Sequence, residues 1–361
     1  MNETRSRVGR RGKECDFDPE RLAAFLSREF DEAGEIVVER IGGGQSNPTY
    51  FVTAGEREMV LRKRPNGATL SSAHAVDREF RVLRALADTQ VPVPRPILFQ
   101  ENSEIVGTPF YLMERLQGRV FHDSSLPGVS PAERREMYLS VAEALAALHA
   151  VDPRSVGLSD FGRSGNYFAR QLARWSRQWA EAATKGIPEM DAVIAWLRCR
   201  LPSEEGPIAI THGDYRIGNL MFHPTEPRVV GILDWELATL GSPLADLGFC
   251  CMTWFIAPEE YAGIAGLDLD AFGIPTVSDF VEQYELRNRP FHHLKRFHVV
   301  FALFRFAVIF AGIADRARIG TAADPEAATT GRLASSFARR ALEIATSDDS
   351  HPKYSIVPNE S

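Results

Sequence analysis

Three oxygen-bearing side chains stand beside short apolar runs in the middle of the sequence. Asp214 and Asn219 lie five residues apart in the segment THGDYRIGNLMF, which follows the apolar run 208–210. Asp234 directly follows a second apolar run, 229–233, and the intervening segment HPTEPR carries two prolines typical of a turn. Because a hairpin brings the ends of its two strands together, we expect these three side chains to converge.

This set of side chains suits phosphoryl transfer from a nucleotide. Mg²⁺ is a hard ion that prefers oxygen ligands and neutralises the phosphates of ATP, and Asn219 and Asp234 are the candidate ligands. An acceptor hydroxyl needs a carboxylate to take its proton, and Asp214 is the candidate base. The competing interpretation is structural, with Asp214 and Asn219 capping a turn and Asp234 capping a helix.

The bulk composition is that of an ordinary globular chain. It has 361 residues, of which 44% are hydrophobic and 25% charged, enough for two compact parts. A net charge of −7 gives no reason to expect a nucleic-acid partner. The four cysteines match neither a metal site nor a disulfide framework, and residues 1–14 lack the apolar core of a secretory signal. We therefore expect a reducing, cytoplasmic location.

Apolar periodicity divides the chain into a β-rich first part and a helical second part. The first part has a helix over 19–30 and strand patterns over 35–41, 49–53 and 58–64, and the second has long helical patterns from 131 onward. The apolar run 297–314 is long enough to span a bilayer, but it contains His298 and Arg305, so we expect a buried helix and no membrane partner. The expected division is a disordered tail 1–16, a nucleotide-binding lobe 17–114, a catalytic and substrate lobe 115–346, and a loose tail 347–361.

The central motifs resemble a known family. HGDYRIGNLMF followed by ILDWELATLGSPLADLGF resembles the aminoglycoside phosphotransferase-like family, and the resemblance covers roughly residues 36–344. It is most similar to the branch whose animal members are fused to acyl-CoA dehydrogenase domains. The resemblance implies an α+β, protein-kinase-like bilobal fold, with a β-rich N-lobe and a mainly helical C-lobe. It also implies the cofactors ATP and Mg²⁺.

The resemblance assigns roles around the central motifs. It implies that Asp214 is the catalytic base and that Asn219 and Asp234 are the Mg²⁺ ligands, as the residues themselves suggest. It also implies that His212 braces the catalytic loop and that Asp246 holds that loop or a helix start. Two interpretations of Glu236 stay open. It either approaches the second metal or the substrate, or it points to solvent.

The first lobe carries the expected nucleotide contacts. The segment IGGGQSNPTYFV lies between two strands, where this family folds a hairpin loop over the ATP phosphates; taken alone, it is a plain β-turn. The strand EMVLRKRP departs from the family's usual lysine. Since side chains alternate along a strand, Arg62 and Lys63 must face opposite ways, and we predict Arg62 as the phosphate-binding cation, with Lys63 as the alternative and Glu79 as the ion-pair partner. The loop contacts are predicted at Gly43, Gly44, Ser46 and Asn47, and the adenine contacts at the backbone of Met113, Glu114 and Arg115.

The acceptor is constrained by charge. The helical segment 166–179 carries Arg170, Arg174 and Arg177 and no acidic residue, which favours an anionic small molecule over a polycationic aminoglycoside. A solvated basic face is the alternative interpretation. The resemblance to the acyl-CoA-dehydrogenase-linked branch implies a hydroxyacyl thioester of coenzyme A.

Other functions compete with this hypothesis. An aminoglycoside or amino-alcohol kinase is the alternative enzyme, and a non-catalytic nucleotide-binding interaction module is the alternative from another class. The chain shows no APE-like activation segment after Asp234, which disfavours a protein kinase. The sequence does not specify the oligomeric state.

Overall fold

The computed structural model describes most of the chain. The described residues are 8–9, 15–31, 35–42, 47–67, 76–163, 165–182, 186–203, 206–288, 293–320 and 327–347. They form two compact units, one of Met1–Gln117 with Leu233–Glu236 and one of Gly118–Ile232 with Leu237–Ser361.

The first unit is built on one mixed sheet with two helices. The sheet has six strands in the order β1-β2-β3-β4-β6-β5, antiparallel except where β1 meets β2. Its elements are β1 (Val8–Gly9), α1 (Pro19–Phe30), β2 (Ile36–Arg40), β3 (Thr49–Ala54), β4 (Arg57–Lys63), α2 (Val76–Leu86), β5 (Pro96–Gln100) and β6 (Phe110–Glu114).

The core of the first unit lies between α1 and one face of the sheet. Asp18 caps α1 by accepting a hydrogen bond from the Glu20 amide at 3.0 Å, and Pro19 is the first helical residue, as the sequence predicts. The apolar stripe of α1 packs on alternate residues of β2, β3, β4 and β6. Helix α2 packs near β5 and β6.

The N-terminal segment differs from the expected tail 1–16. Val8 and Gly9 pair in parallel with β2, and Asp16 accepts hydrogen bonds from Tyr50 Oη at 2.7 Å and Lys63 Nζ at 2.9 Å. A lysine with 0% exposure needs a counter-charge, and Asp16 supplies it, so the first unit begins before residue 17.

The second unit is mainly helical, with two small sheets in the orders β10-β9-β7 and β11-β8. Its strands are β7 (Arg119–Val120), β8 (Ala209–Thr211), β9 (Leu220–Phe222), β10 (Val229–Ile232) and β11 (Thr239–Gly241). Its helices are α3 (Pro131–Ala150), α4 (Tyr167–Glu181), α5 (Pro188–Cys199), α6 (Pro243–Cys251), α7 (Leu269–Phe272), α8 (Val277–Arg287), α9 (Arg296–Arg318), α10 (Ala327–Gly331) and α11 (Leu333–Thr346).

Helix α9 is the central element of the second unit. It is long and apolar enough to cross a membrane by length and composition, yet 72% of its most apolar window is buried. Helices α4, α5, α6, α10 and α11 all pack against it. The rings of Phe306 and Phe310 lie 5.3 Å and 4.9 Å from the ring of Phe337 on α11. The sequence expectation of a buried core helix is confirmed.

Strands β9 and β10 form the predicted hairpin. They pair antiparallel, with Leu220 opposite Ile232 and Phe222 opposite Val229. Along the chain, Asn219 directly precedes Leu220, and Asp234 is the second residue after Ile232.

The division into units differs from the expected boundary after residue 114. The first unit continues to Gln117, and the short segment Leu233–Glu236 also belongs to it. Within the first unit, Asp234 and Glu236 both lie against Arg62 of β4.

Candidate active site

Asp214 is the central carboxylate of the second unit. It lies on the loop that leaves β8, before a 3-10 turn over Ile217–Asn219. Its Oδ2 accepts hydrogen bonds from Asn219 Nδ2 at 2.6 Å and Arg216 Nε at 3.3 Å. Asn219 Nδ2 also donates to the Asp214 backbone oxygen at 2.9 Å. The side chain of Asp214 is 23% exposed, so the carboxylate is fixed in place yet open to an incoming hydroxyl.

The backbone of this catalytic loop, residues 212–216, is held by a buried carboxylate on α6. Asp246 accepts hydrogen bonds from the amides of His212 at 2.6 Å and Gly213 at 2.9 Å, and its Oδ2 lies 3.4 Å from His149 Nε2 on α3. Burial acts to raise the pKa of Asp246, but the hydrogen bond with His149 and the nearby histidines outweigh it and hold that pKa below its ordinary value. Asp246 is therefore an ionised anchor for the loop.

Further anchors fix the loop from three directions. The buried ring of His212 accepts a hydrogen bond at Nδ1 from the Asp214 amide at 3.2 Å. Tyr215 Oη donates to the Val141 carbonyl on α3 at 2.8 Å. Arg305 of α9 donates from Nη2 to the Gly213 carbonyl. The loop is thus tied to α3, α6 and α9.

Gly213 is required by the shape of the loop. Its φ is +83°, a region that side chains with a Cβ rarely adopt. A Cβ there would also meet the Leu237 carbonyl oxygen at 2.7 Å. The glycine in HGD therefore has a backbone role beside the Asp214 carboxylate.

Arg62 is the central cation of the first unit. Its Nε lies 2.8 Å from Glu79 Oε2, and its Nη2 lies 2.6 Å from Asp234 Oδ1 and 3.7 Å from Glu236 Oε2. Burial acts against the charged guanidinium, but the carboxylates, Glu79 foremost, outweigh it and raise the pKa of Arg62 above its ordinary value. The ion pair predicted between Arg62 and Glu79 is present.

Lys63 faces the other side of the sheet. Its Nζ contacts Asp16 Oδ2 at 2.9 Å and Asn66 Oδ1 at 3.0 Å, and it lies 5.7 Å from the ring centre of Phe17. The predicted alternation along β4 is confirmed. Among the described residues, Lys63 makes structural contacts only, so Arg62 is the residue of the two that lies beside Asp234.

Glu79 is held by two further donors. Asn47 Nδ2 donates to its Oε1 at 2.7 Å, and Tyr111 Oη donates to its Oε2 at 3.0 Å. The side-chain nitrogen of Asn47, predicted as a nucleotide contact, is therefore used to orient the partner of Arg62. Three predicted loop contacts, Gly43, Gly44 and Ser46, lie outside the described residues.

Of the three predicted adenine contacts, two lie in the sheet and one follows it. Met113 and Glu114 end β6, which pairs with both β4 and β5, and the Glu114 amide donates to the Arg95 carbonyl at 2.8 Å. Arg115 follows the strand, and its guanidinium lies 4.1 Å from the ring centre of Phe51 and 3.2 Å from Glu58 Oε1. The Glu114 amide is thus already bonded in the sheet.

Asp234 combines an unusual backbone with an open carboxylate oxygen. Its φ is +65°, which aspartate tolerates better than most residues, and its side chain is 35% exposed. Among the described residues, Oδ1 is bonded to Arg62 and Oδ2 has no hydrogen-bond partner. Asn219 likewise uses its nitrogen on Asp214, which leaves its Oδ1 without a hydrogen-bond partner in the described part of the chain.

These donors fit a magnesium–nucleotide complex better than a metal bound by protein alone. Within the described residues, no group of three or more His, Cys, Asp or Glu side chains could hold a metal ion. Mg²⁺ typically takes one or two protein carboxylates or amides and completes its shell with substrate phosphates and water. In its own unit, each of Asp234 and Asn219 offers one oxygen of the kind that such a complex uses.

Some site residues were not predicted from the sequence. Arg216 lies against the Asp214 carboxylate, and its guanidinium also lies 5.5 Å from the ring centre of Tyr261. Tyr111 supports Glu79 from β6, where it stands between apolar residues that give no sign of a polar role. The position of Arg216 between Asp214 and Asn219 is the one signal that could have identified it.

The chain is similar to known proteins over most of its length. The model of the phosphotransferase enzyme family matches residues 37–279. Mouse acyl-CoA dehydrogenase family member 10 is 40% identical over 319 residues, a match that covers 87% of this chain and 30% of the mouse protein. This chain therefore spans less than a third of that relative, and the predicted branch is confirmed.

Solved structures show the same fold. A Ralstonia eutropha protein provisionally named an aminoglycoside phosphotransferase is 43% identical, with a TM-score of 0.83 over 91% of this chain and 98% of that one. A mutant of aminoglycoside phosphotransferase APH(4)-Ia, in a ternary complex with ADP and hygromycin B, is 15% identical with a TM-score of 0.57 over 88% of this chain and 98% of that one. The predicted protein-kinase-like α+β fold is confirmed, and the chain belongs to the phosphotransferase enzyme family.

Proposed function

We propose that this chain transfers the γ-phosphoryl group of ATP, with Mg²⁺, to a hydroxyl group of a small anionic acceptor. The observation that carries the proposal is the Asp214 carboxylate, which is partly exposed and fixed by Asn219 and Arg216 on a loop held by three helices. A base oriented in this way can accept a proton without reorganisation of the protein.

The reaction assigns one task to each group. The acceptor hydroxyl gives its proton to Asp214 as its oxygen attacks the γ-phosphorus, and the bond to the β–γ bridging oxygen breaks to leave ADP. Asn219 and Asp234 would supply oxygen ligands to Mg²⁺, which would neutralise the phosphate charge. Arg62 contributes the cation for the nucleotide phosphates. Its guanidinium is shared among carboxylates in this structure, and Mg²⁺ on Asp234 would leave it free to turn to phosphate.

We further propose that the acceptor is a hydroxyacyl thioester of coenzyme A. Helix α4 presents several arginines to solvent and has a single acidic residue, Glu181, at its last position, which disfavours a polycationic antibiotic. The mouse relative is named an acyl-CoA dehydrogenase, which operates on acyl-CoA substrates, and a kinase linked to it would act on a chemically related acceptor.

The test is an acceptor screen read by ADP release. Wild-type protein with Mg·ATP is supplied with hydroxyacyl-CoAs, the matching acyl-CoAs without the hydroxyl, aminoglycosides, amino alcohols and sugars. We expect turnover with a hydroxyacyl-CoA, none with its deoxy analogue, and loss of turnover in Asp214→Asn.

Turnover on an aminoglycoside but not on hydroxyacyl-CoA would replace the proposed acceptor and leave the kinase chemistry in place. No turnover on any acceptor, with Mg·ATP still bound, would instead favour the non-catalytic nucleotide-binding module.

A further inference from the structure

A loop of the second unit, residues 257–265, carries two strained residues. It follows the 3-10 turn Met252–Phe255, and we call it the tyrosine loop after Tyr261. Tyr261 has a φ of +73°, and the next residue, Ala262, has a φ of +55°. Residues with a Cβ rarely adopt this left-handed region, and a bulky ring suits it less than asparagine or aspartate does. Such strain persists only where the surrounding structure imposes it, and it is concentrated at functional sites.

The tyrosine loop is fixed on both sides of its strained centre. Before the centre, Glu260 is buried, and its Oε2 accepts hydrogen bonds from the Ala257 amide at 3.0 Å and from Arg340 Nε of α11 at 3.0 Å. After the centre, the Gly263 amide donates to the Ala257 carbonyl at 3.2 Å. A Cβ at Gly263 would collide with the Ile256 carbonyl oxygen, so the backbone is closely packed there. These anchors impose the left-handed conformation between them.

The ring of Tyr261 contacts both α9 and the catalytic loop. Its centre lies 5.4 Å from the ring centre of Phe306 and 5.1 Å from that of Phe310, in edge-to-face arrangements. The Arg216 guanidinium lies 5.5 Å from the centre of the Tyr261 ring, within the range of a cation–π interaction. Tyr261 thus joins the aromatic packing of α9 to a cation of the catalytic loop.

Arg216 connects this ring to the Asp214 carboxylate. Its Nε donates to Asp214 Oδ2 at 3.3 Å, a long hydrogen bond that does not by itself fix a side chain with many rotamers. The guanidinium also lies close to Gly218, where a Cβ would collide with Nη1. The ring of Tyr261 and the bare backbone of Gly218 both restrict where the guanidinium can lie. The position of the positive charge beside Asp214 therefore depends on Tyr261.

The electrostatics of Tyr261 agree with this placement. Its pKa is raised above the ordinary value, chiefly by burial; the charge of Arg216 acts to lower it, and the Asp214 carboxylate acts to raise it. Tyr261 is therefore within electrostatic reach of both groups. Its hydroxyl has no hydrogen-bond partner among the residues that the structure describes. The ring, and not the hydroxyl, makes the contacts that hold Arg216.

We propose that Tyr261 is a positioning residue, whose ring sets the Arg216 guanidinium and through it the orientation of the Asp214 carboxylate. This inference rests on the proposed function, in which Asp214 takes the proton of the acceptor. It gives the strain of the tyrosine loop a role, because the left-handed backbone is what directs the ring at Arg216.

The test compares Tyr261→Leu with the matched control Phe272→Leu. Tyr261 is 37% exposed and Phe272 is 36% exposed, and the Phe272 ring centre likewise lies 5.5 Å from a guanidinium, that of Arg134. The readout is ADP release with Mg·ATP and hydroxyacyl-CoA. We expect Tyr261→Leu to lower kcat by about 10- to 100-fold with an unchanged KM for Mg·ATP, since small misplacements of catalytic groups are costly. Phe272→Leu should keep the wild-type kcat.

Two further substitutions separate the ring from the backbone and from the hydroxyl. Tyr261→Asn removes the ring with a side chain that tolerates the left-handed backbone, so it should stay folded and show the same loss of kcat. Tyr261→Phe keeps the ring and should recover most of the kcat. A wild-type kcat in Tyr261→Asn, or a Tyr261→Phe variant as slow as Tyr261→Leu, would overturn the inference.

A double-mutant cycle shows whether Tyr261 acts through Arg216. Arg216→Ala should lower kcat by itself, and the addition of Tyr261→Leu should change kcat by less than about twofold, because the group that the ring positions is already gone. Two losses that multiply would mean that the ring acts independently of Arg216, and the inference would be wrong. Urea unfolding confirms that each variant is folded.

The positioning role and the proposed function fail separately. Crystal structures of wild type and Tyr261→Leu require no acceptor, and we expect the contact between Arg216 Nε and Asp214 Oδ2 to be lost in the variant. If that contact is lost but wild type does not phosphorylate hydroxyacyl-CoA, the proposed acceptor is wrong and the positioning role stands. If the contact persists in the variant, the positioning role is wrong for any acceptor.

Discussion

Arg62 and Lys63 are neighbours in sequence with opposite surroundings. Arg62 lies among Glu79, Asp234 and Glu236, whereas Lys63 is fully buried against Asp16. Successive side chains along a strand point to opposite faces of the sheet, so these two cations lie on opposite faces. The functional difference between these two cations follows from their position and not from their charge.

Substitution of each cation should give a different result. We expect Arg62→Ala to weaken Mg·ATP binding by about 10- to 100-fold, since one charged contact to phosphate is worth about 1.5–3 kcal/mol. Lys63→Ala should leave Mg·ATP binding unchanged but lower the free energy of unfolding by about 3 kcal/mol, because it leaves Asp16 without its buried partner.

Calorimetric titration and urea unfolding of both variants check this pair of expectations. Circular dichroism confirms that each variant is folded under the binding conditions. A Lys63→Ala variant that loses as much ATP affinity as Arg62→Ala would contradict the assignment.

At this scale the sequence predicts residues whose chemistry is local. Asp214 and Asn219 are five residues apart, and their contact follows from that short loop. The partners of Tyr111 and Asp16 lie 32 and 47 residues away, so no local pattern signals them. Long-range polar partners depend on tertiary packing, which a single sequence does not display.

The catalytic loop is an element defined by its anchors. Its own residues are polar or small, and its shape depends on Asp246 of α6, Arg305 of α9 and the Val141 carbonyl of α3. Asp246 and Arg305 hold backbone groups of the loop, and the Val141 carbonyl holds the Tyr215 hydroxyl, so the helices of the second unit set the loop before any ligand binds. Precise placement of Asp214 should therefore be sensitive to changes in loop backbone.

Gly213→Ala tests this sensitivity. The left-handed conformation alone costs a residue with a Cβ about 1–2 kcal/mol, and the new Cβ would also collide with the Leu237 carbonyl oxygen. We expect kcat to fall by about 100-fold, since small misplacements of catalytic groups are costly. Steady-state ADP release and urea unfolding measure the two effects.

Gly128→Ala is the matched control. Gly128 has a φ of +80° and nothing within 4 Å of the added Cβ, so this variant has the backbone cost without the collision. It should lose some stability and keep its kcat. Equal kcat values for the two variants would show that the shape of the catalytic loop does not matter.

The bounds of helices and strands were easier to predict from the sequence than the elements with which they pair. The sequence predicts α1 with the bounds observed, because the cap at Asp18 and the proline at position 19 mark its start. It does not predict β1, whose two residues pair only because β2 offers an edge. Nor does it place Leu233–Glu236 in the first unit, where Asp234 pairs with Arg62, 172 residues away in the sequence.

The stability of the whole molecule should depend on pH through Asp246. Its pKa is lowered in the folded state, so its contribution to stability is fully present above the unfolded pKa of about 4 and is lost as pH falls through the folded value. Asp246→Asn removes this contribution. We expect the variant to be at least about 2 kcal/mol less stable at pH 7, because two backbone amides lose a charged acceptor.

Urea unfolding of both proteins at pH 7, 5 and 3 measures this dependence. The difference between wild type and Asp246→Asn should be constant from pH 7 to 5 and smaller at pH 3. A difference that stays constant to pH 3 would show that Asp246 is not an ionised anchor.

The whole molecule sets the limit on what sequence alone could predict about function. The fold and the phosphotransfer chemistry follow from a few motifs that require particular residue types. The acceptor does not, because an excess of arginines on α4 fits a solvated helix face as well as an anion-binding one. Net charge gives no help, since the chain is acidic overall while this one surface is basic.

The most direct test of the account is the rate of phosphoryl transfer in Asp214→Asn, measured as ADP formed from Mg·ATP and hydroxyacyl-CoA. The account predicts a fall in kcat of about 10²- to 10⁴-fold, the usual contribution of a positioned general base, with the Mg·ATP dissociation constant unchanged. A variant that keeps a near wild-type kcat would contradict the central claim that this carboxylate takes the proton of the acceptor.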